Sequence, residues 1–297
     1  MLLLKHILVA TDFSPTSTAA LRHAFGIARR CQSVVSLVHV VDAPFYGMTP
    51  DGIAAAVECA ERDSEFMMKQ LRGQGVFNGS SPELKITVGP VWQTISRIVN
   101  EQHPGLLVLG THGRSGIPKL VLGSVAERAF REAPCPVLTV GPRARSSKLS
   151  GAEAKHFLVP TDLSSASTNA VRCGLSLARA TGGDMTLLHV LNLPSPRAGE
   201  NAPSATVVKN QIAEFLNEHP GAATMVRPRV EFGNPAPTIV AVAEQMDSDM
   251  IVMGLRAWST DGAPMWRTAY EVVTHAGCPV LSMRSPALSA REPSHAA

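Results

Sequence analysis

The chain is written twice, and this repeat restricts its fold more than any other feature. Lys5-His6-Ile7-Leu8-Val9-Ala10-Thr11-Asp12-Phe13-Ser14 returns as Lys155-His156-Phe157-Leu158-Val159-Pro160-Thr161-Asp162-Leu163-Ser164, changed only at Ile7/Phe157, Ala10/Pro160 and Phe13/Leu163. His39-Val40 recurs as His189-Val190 at the same offset. After a shorter middle segment, Val88-Gly89 matches Phe232-Gly233, and Leu107-Val108-Leu109-Gly110 matches Ile251-Val252-Met253-Gly254. Cys135-Pro136-Val137-Leu138 then returns as Cys278-Pro279-Val280-Leu281. A period of about 140–150 residues is the length of a domain, not of a solenoid unit. Two homologous domains are expected, over residues 1–142 and 155–284. The join at 143–154 is polar, small and basic, as a solvated linker should be, and the tail at 285–297 shares that character and is expected to be loosely ordered.

Each half alternates short apolar runs with amphipathic stretches. In the first half, strands are expected at 6–10, 34–40, 84–88, 106–110 and 136–140, with helices near 15–30, 51–72, 92–102 and 124–132. Ala20, Leu21, Ala24, Phe25 and Ala28 form the stripe of a helix lying on a sheet, and Ser14-Pro15 is a cap followed by a first-turn proline. Strands that are apolar throughout, alternating with helices, predict an α/β fold. It consists of two tandem Rossmann-like domains, each a five-stranded parallel sheet with helices on both faces. In such sheets ligands sit beyond the carboxyl ends of the strands at the point where strand order reverses, which is where Thr11-Asp12 and Gly110 fall.

Residues 110–124, GTHGRSGIPKLVLGS, follow the fourth apolar run and lead into a helical pattern. Glycines allow close backbone approach to an anion, and a helix N-terminus offers unpaired amides and a favourable dipole, so a phosphate site is the natural reading. A lone Gly-x2-Gly is as often a plain turn, and Ser124 suits either an N-cap or a phosphate ligand. The spacing excludes a Walker loop, and no G-x-G-x-x-G follows the first strand. Asp12 can accept from sugar hydroxyls or cap its own turn. Arg114 can pair with phosphate or simply be an exposed loop arginine. His112 is the weaker ligand candidate. The shared positions of His39 and His189 suggest packing or hydrogen bonding ahead of ligation.

Composition narrows the field further. No run approaches the ~18 apolar residues of a membrane span, and the opening Met1-Leu2-Leu3-Leu4-Lys5 is too short for a signal segment. Five cysteines, an odd count with no C-x-x-C, fit a reducing compartment, so a cytoplasmic protein is expected. Cys135 and Cys278 precede a strand in both repeats and read as buried packing. The net charge of +3 lies in the first half and is too mild for the clustered basic face of a nucleic-acid binder.

Gly110-x2-Gly113-x9-Gly123-Ser124, together with Thr11-Asp12, resembles the universal stress protein superfamily in its tandem two-domain form, over residues 3–142 and 154–284. For the ATP-binding branch, the resemblance implies a first site formed by Ala10, Thr11, Asp12, Val40, Gly110, His112, Gly113, Arg114, Gly123, Ser124 and Val125. Asp12 would lie at the ribose and the backbone near Val40 at adenine. The loop amides and the Ser124 hydroxyl would hold the phosphates, with Mg2+ or Mn2+ bridging them. The resemblance also implies that the two last strands, 136–140 and 279–283, pair as an intramolecular pseudo-dimer, with a homodimer left open.

The second half departs from the pattern: Ala257 stands for the second glycine and Trp266 or Arg267 for the third, so its anion cradle is obstructed. Trp258 and Trp266 read as fillers of that vacancy or as the wall of a more apolar site. The expected function is a nucleotide-dependent regulator in the stress response with unidentified protein partners and neither nucleic acid nor membrane. His112 and Asp12 are the nearby base candidates and both already hold ligand, so hydrolysis is expected to be slow or absent. An interaction scaffold without nucleotide and a slow ATP hydrolase are the alternatives. Neither H-x-G-H nor S-G-G-x-D-S, the marks of nucleotidyl transfer, occurs.

Overall fold

The computed structural model describes residues 4–42, 49–77, 79–112, 122–144, 154–192, 203–217, 225–255 and 267–284. The first half runs β1 (His6–Ala10), α1 (Pro15–Cys31), β2 (Val34–Val41), α2 (Pro50–Gly73), β3 (Glu83–Val88), α3 (Val91–Gln102), β4 (Leu106–Gly110), α4 (Ser124–Glu132) and β5 (Val137–Val140). The second repeats it as β6 (His156–Pro160), α5 (Ser165–Thr181), β7 (Asp184–Leu191), α6 (Pro203–Asn217), β8 (Val226–Phe232), α7 (Pro235–Gln245), β9 (Met250–Leu255), α8 (Arg267–His275) and β10 (Val280–Arg284). The expected α/β architecture is present in both halves.

All ten strands form one sheet, in the order β3-β2-β1-β4-β5-β10-β9-β6-β7-β8. Within each half the pairing is parallel, and the order reverses between β1 and β4 and again between β6 and β9. At the centre β5 and β10 run antiparallel, with Leu138 opposite Leu281. Two side chains reinforce the seam: Thr139 Oγ1 donates to the Val280 carbonyl at 3.2 Å, and Ser282 Oγ donates to the Val137 carbonyl at 3.1 Å. Each last strand thereby covers the other's unpaired edge.

The apolar strands are buried because helices cover both faces. Ile7 and Val9 face one cluster, which takes in Ala20, Leu21, Ala24, Phe25 and Ala28 of α1. Leu8 faces the other, beneath α3 and α4. Both clusters continue through the seam into the second half, so the halves share their cores. α1 starts as its sequence dictates, with the Ser14 side chain accepting from Ser17 N and Pro15 in the first turn. It stops at Gln32, which takes a left-handed conformation.

The expected linker reaches into the structure: its described ends, Ala144 and Ala154, are buried in the shared core and not solvated. Residues 145–153 and the tail at 285–297 lie outside the described residues, as do Ala257, Trp258 and Trp266. Among the described residues, no helix is long and apolar enough to cross a membrane.

Candidate functional site

The turn after β1 is held by its own side chains. Thr11 Oγ1 accepts from Phe13 N and Asp12 Oδ1 accepts from Ser14 N, each at 3.0 Å, bringing Phe13 into the left-handed region at φ 58°. Short polar side chains that bond backbone two residues on form such turns without glycine. The second half repeats the device through Thr161, Asp162 and Leu163, the last at φ 61°. His39 Nδ1 meets the Thr11 carbonyl at 2.8 Å, and His189 Nδ1 meets that of Thr161 at 2.9 Å. The paired histidines are therefore fasteners between strand ends, as their shared position suggested.

The end of β4 is clamped against the start of α1. The His112 carbonyl accepts from both Thr16 Oγ1 and Ser14 Oγ. A Cβ on Gly110 would lie 2.8 Å from Ser17 N, so this glycine is required by the crossing of α1's first turn. Gly123 N donates to the Thr111 carbonyl at 2.7 Å. A Cβ there would meet that oxygen at 2.9 Å, while the Gly123 φ of −59° suits any residue. Positive φ therefore does not explain Gly123; close backbone approach does. Gly123 is also the N-cap of α4, which makes Ser124 the first helical residue and excludes the capping role open to it.

These contacts shape a cleft of about 650 Å3 at the carboxyl ends of β1, β2 and β4, where strand order reverses. Ala10, Thr11, Asp12, Val40, Gly110, His112, Gly123, Ser124 and Val125 all line it. Gly113 and Arg114 lie outside the described residues. The first amides of an α-helix have no intrahelical acceptor, so the start of α4 at this wall presents donors and the positive end of its dipole. Val38, Val41, Val91 and Ile95 make an apolar side to the same cleft.

Sequence reasoning missed one wall altogether. Ala56, Cys59, Ala60 and Asp63 of α2 line the cleft, with Asp42 beside them. Nothing local marks these residues, because the face α2 turns toward the sheet depends on how it is carried over β2. The described lining bears carboxylates at Asp12, Asp42 and Asp63 and no Lys or Arg side chain. Any attraction for an anion among the described groups thus comes from backbone amides, hydroxyls such as that of Ser124 and imidazole N–H groups, and from no Lys or Arg side chain. Among the described residues there is also no cluster of three metal-ligating side chains.

The corresponding place in the second half is built differently. Asp162 Oδ1 accepts from Ser164 N, as Asp12 Oδ1 does from Ser14 N, and also from Ser164 Oγ and Ser167 Oγ. Pro160, which has no N–H, replaces Ala10, and the β6–β9 ladder stops at Leu158. The β1–β4 ladder runs on to Ala10 opposite Leu109.

The cysteines are free among the described residues. Burial pushes the Cys135 thiol up to about 11 and the Cys173 thiol up to about 12, so neither is a ready nucleophile. Cys278 is buried, as expected, and Cys135 half-buried.

Comparison with known proteins agrees with this architecture. A universal stress protein of Methanocaldococcus jannaschii is 31% identical over 140 residues, which span 46% of this chain and 82% of that protein. A crystal structure of a universal stress protein from Archaeoglobus fulgidus shares the fold over 95% of this chain and 98% of its own, with a TM-score of 0.70 at 18% identity. A putative universal stress protein from Pseudomonas aeruginosa does so over 95% and 93%, with a TM-score of 0.63 at 17% identity. Residues 4–141 and again residues 153–284 match the universal stress protein family, and the chain belongs to that family in a tandem form.

Proposed function

We propose that the protein is an ATP-binding regulator of the stress response, acting in the cytoplasm, with nucleotide held in the first half. The observation that carries this reading is that Asp12 and the start of α4 line one cleft of about 650 Å3. Its size lies within the roughly 300–1,000 Å3 of small-ligand sites. An apolar side at Val38, Val40 and Ile95 suits a base, Asp12 suits ribose hydroxyls, and the amides of Ser124 and Val125 suit phosphate oxygens.

In this reading Ala10, Thr11 and Gly110 form the floor, His112 and Gly123 bring the backbone close, and Ser124 adds a hydroxyl donor. Gly113 and Arg114, outside the described residues, are assigned to the phosphates by the same reading. Mg2+ or Mn2+ would arrive with the triphosphate and be held chiefly by its oxygens, since no three-ligand protein cluster exists among the described residues. Bound ATP supplies a ligand that selects the conformation it contacts, which is how a binding protein transmits a signal without chemistry. The second half, with Asp162 accepting from the Ser164 and Ser167 hydroxyls, serves as a structural or partner-binding copy.

One observation favours a second reading. A described lining with carboxylates and no basic side chain suits an interaction scaffold that binds no nucleotide. Mass spectrometry of small molecules released on denaturing the purified protein separates the two. An adenine nucleotide in near-stoichiometric amount supports the first reading, and its absence together with failure to bind added ATP supports the second.

A further inference from the structure

The antiparallel seam creates a cavity that neither half could form alone. Because β5 and β10 run in opposite directions, the carboxyl end of β5 lies beside the amino ends of β9 and β10. A cavity of about 380 Å3 opens there, lined by His23 of α1 and Arg143 after β5, and by Glu244, Asp247, Asp249 and Cys278 of the second half.

Its electrostatics run against what stability alone would select. Glu244 and Asp247 sit at the C-terminal end of α7, and Asp249 follows directly. Carboxylates at the negative end of a helix dipole are unfavourable, and cations are favoured there. Asp249 Oδ2 is partly compensated by the amides of Lys155 and His156, at 2.8 and 2.9 Å. Burial first, and then the charges of Asp249, Asp247 and Glu244, push the Cys278 thiol up to about 12 despite an opposing backbone hydrogen bond at Ile251. The three carboxylates and the Cys278 thiol all line this cavity.

His23 of the lining carries an unmet need as well. His23 is only 4% exposed, and its Nδ1 has no hydrogen-bond partner. A buried polar atom without a partner costs about 1–3 kcal/mol and calls for an explanation. Burial holds this imidazole neutral, with its pKa lowered to about 4, so it can accept a proton donor. The feature is not a packing habit of the repeat, because the positions matching His23, Glu244, Asp247 and Asp249 are Cys173, Asn100, His103 and Gly105.

Glu244, Asp247 and Asp249 offer carboxylate acceptors to an organic cation, whose ammonium group carries three donors. Arg143 on the rim is a fork suited to a carboxylate. We propose that the seam cavity binds a basic α-amino acid of the lysine type, its carboxylate on Arg143 and its ammonium groups among Glu244, Asp247, Asp249 and His23. Such a ligand would brace the two halves against each other at a place independent of the nucleotide cleft.

Calorimetry and thermal unfolding with L-lysine, cadaverine and L-norleucine test this on the full chain. Lysine is expected to bind and raise the unfolding midpoint. Cadaverine, which lacks the carboxylate, and norleucine, which lacks the second cation, should each bind at least about tenfold more weakly. Arg143 and Glu244 are exposed, so Arg143→Ala and Glu244→Gln should fold normally. Arg143→Ala is expected to reduce lysine affinity to the level of cadaverine, Glu244→Gln to weaken it at least about tenfold, and Asp12→Asn to leave it unchanged. No lysine binding at millimolar concentration, equal binding of lysine and cadaverine, or lysine binding indifferent to both seam variants would each overturn the proposal.

Discussion

The amide of Gly123 donates to the carbonyl of Thr111 at 2.7 Å, and a Cβ on Gly123 would lie 2.9 Å from the same oxygen. The bond sets the start of α4 against the end of β4, and the missing side chain makes the approach possible. The oxygen that an added methyl would meet belongs to the backbone of Thr111, so the clash has no soft escape. Gly123→Ala is expected to destabilise the fold by about 1–3 kcal/mol in urea unfolding and to lower ATP affinity by displacing the α4 amides. Wild-type stability in that variant would mean the contact yields easily.

Ser124→Ala separates ligand binding from folding. Gly123, not Ser124, is the N-cap of α4, and Ser124 is exposed. Its removal should leave stability within ~0.5 kcal/mol while weakening ATP binding by about 1–3 kcal/mol, the loss of a charge-assisted hydrogen bond. Equal loss of stability and affinity would assign the hydroxyl a structural role.

How far the sequence revealed this site can be followed residue by residue. Apolar runs and cap signals located β1, β4 and α4 to the residue and the remaining first-half elements to within a residue or so, because each signal is local. Thr11-Asp12 and the described ends of residues 110–124 fall at the carboxyl ends of the strands, as their local signals indicated. The grounds for Gly110 and Gly123 were not legible, since the crowding atoms belong to α1 and Thr111. Nor was the α2 wall at Cys59 and Asp63, or the left-handed Phe13, whose turn is fastened by side chains where glycine would have been the obvious marker. The seam cavity needed strand directions in three dimensions.

Acid should destabilise the fold through His23. Burial lowers its pKa from 6.5 to about 4 in the folded state, so unfolding takes up a proton between those values. Its contribution is complete above pH 6.5 and is lost as pH falls toward 4, for a total of about 3 kcal/mol. His23→Leu should flatten the stability–pH curve in this window. An unchanged slope would assign the acid sensitivity to other groups.

The seam should make the halves unfold together. Leu138 is fully buried opposite Leu281, within a core shared by both halves. Leu138→Ala is expected to cost about 2–5 kcal/mol and to shift the unfolding of both halves at once, as followed by hydrogen exchange. Lost protection confined to residues 4–141 would show that the halves are energetically separate.

Titration of the nucleotide-free chain with Mg-ATP by calorimetry tests the central claim most directly. The account predicts one site per chain, greatly weakened in an Asp12→Ala, Ser124→Ala double variant and retained in Asp162→Ala, because Asp162 Oδ1 accepts from Ser164 Oγ and Ser167 Oγ. No heat of binding, or two equivalent sites that survive the double variant, would contradict it.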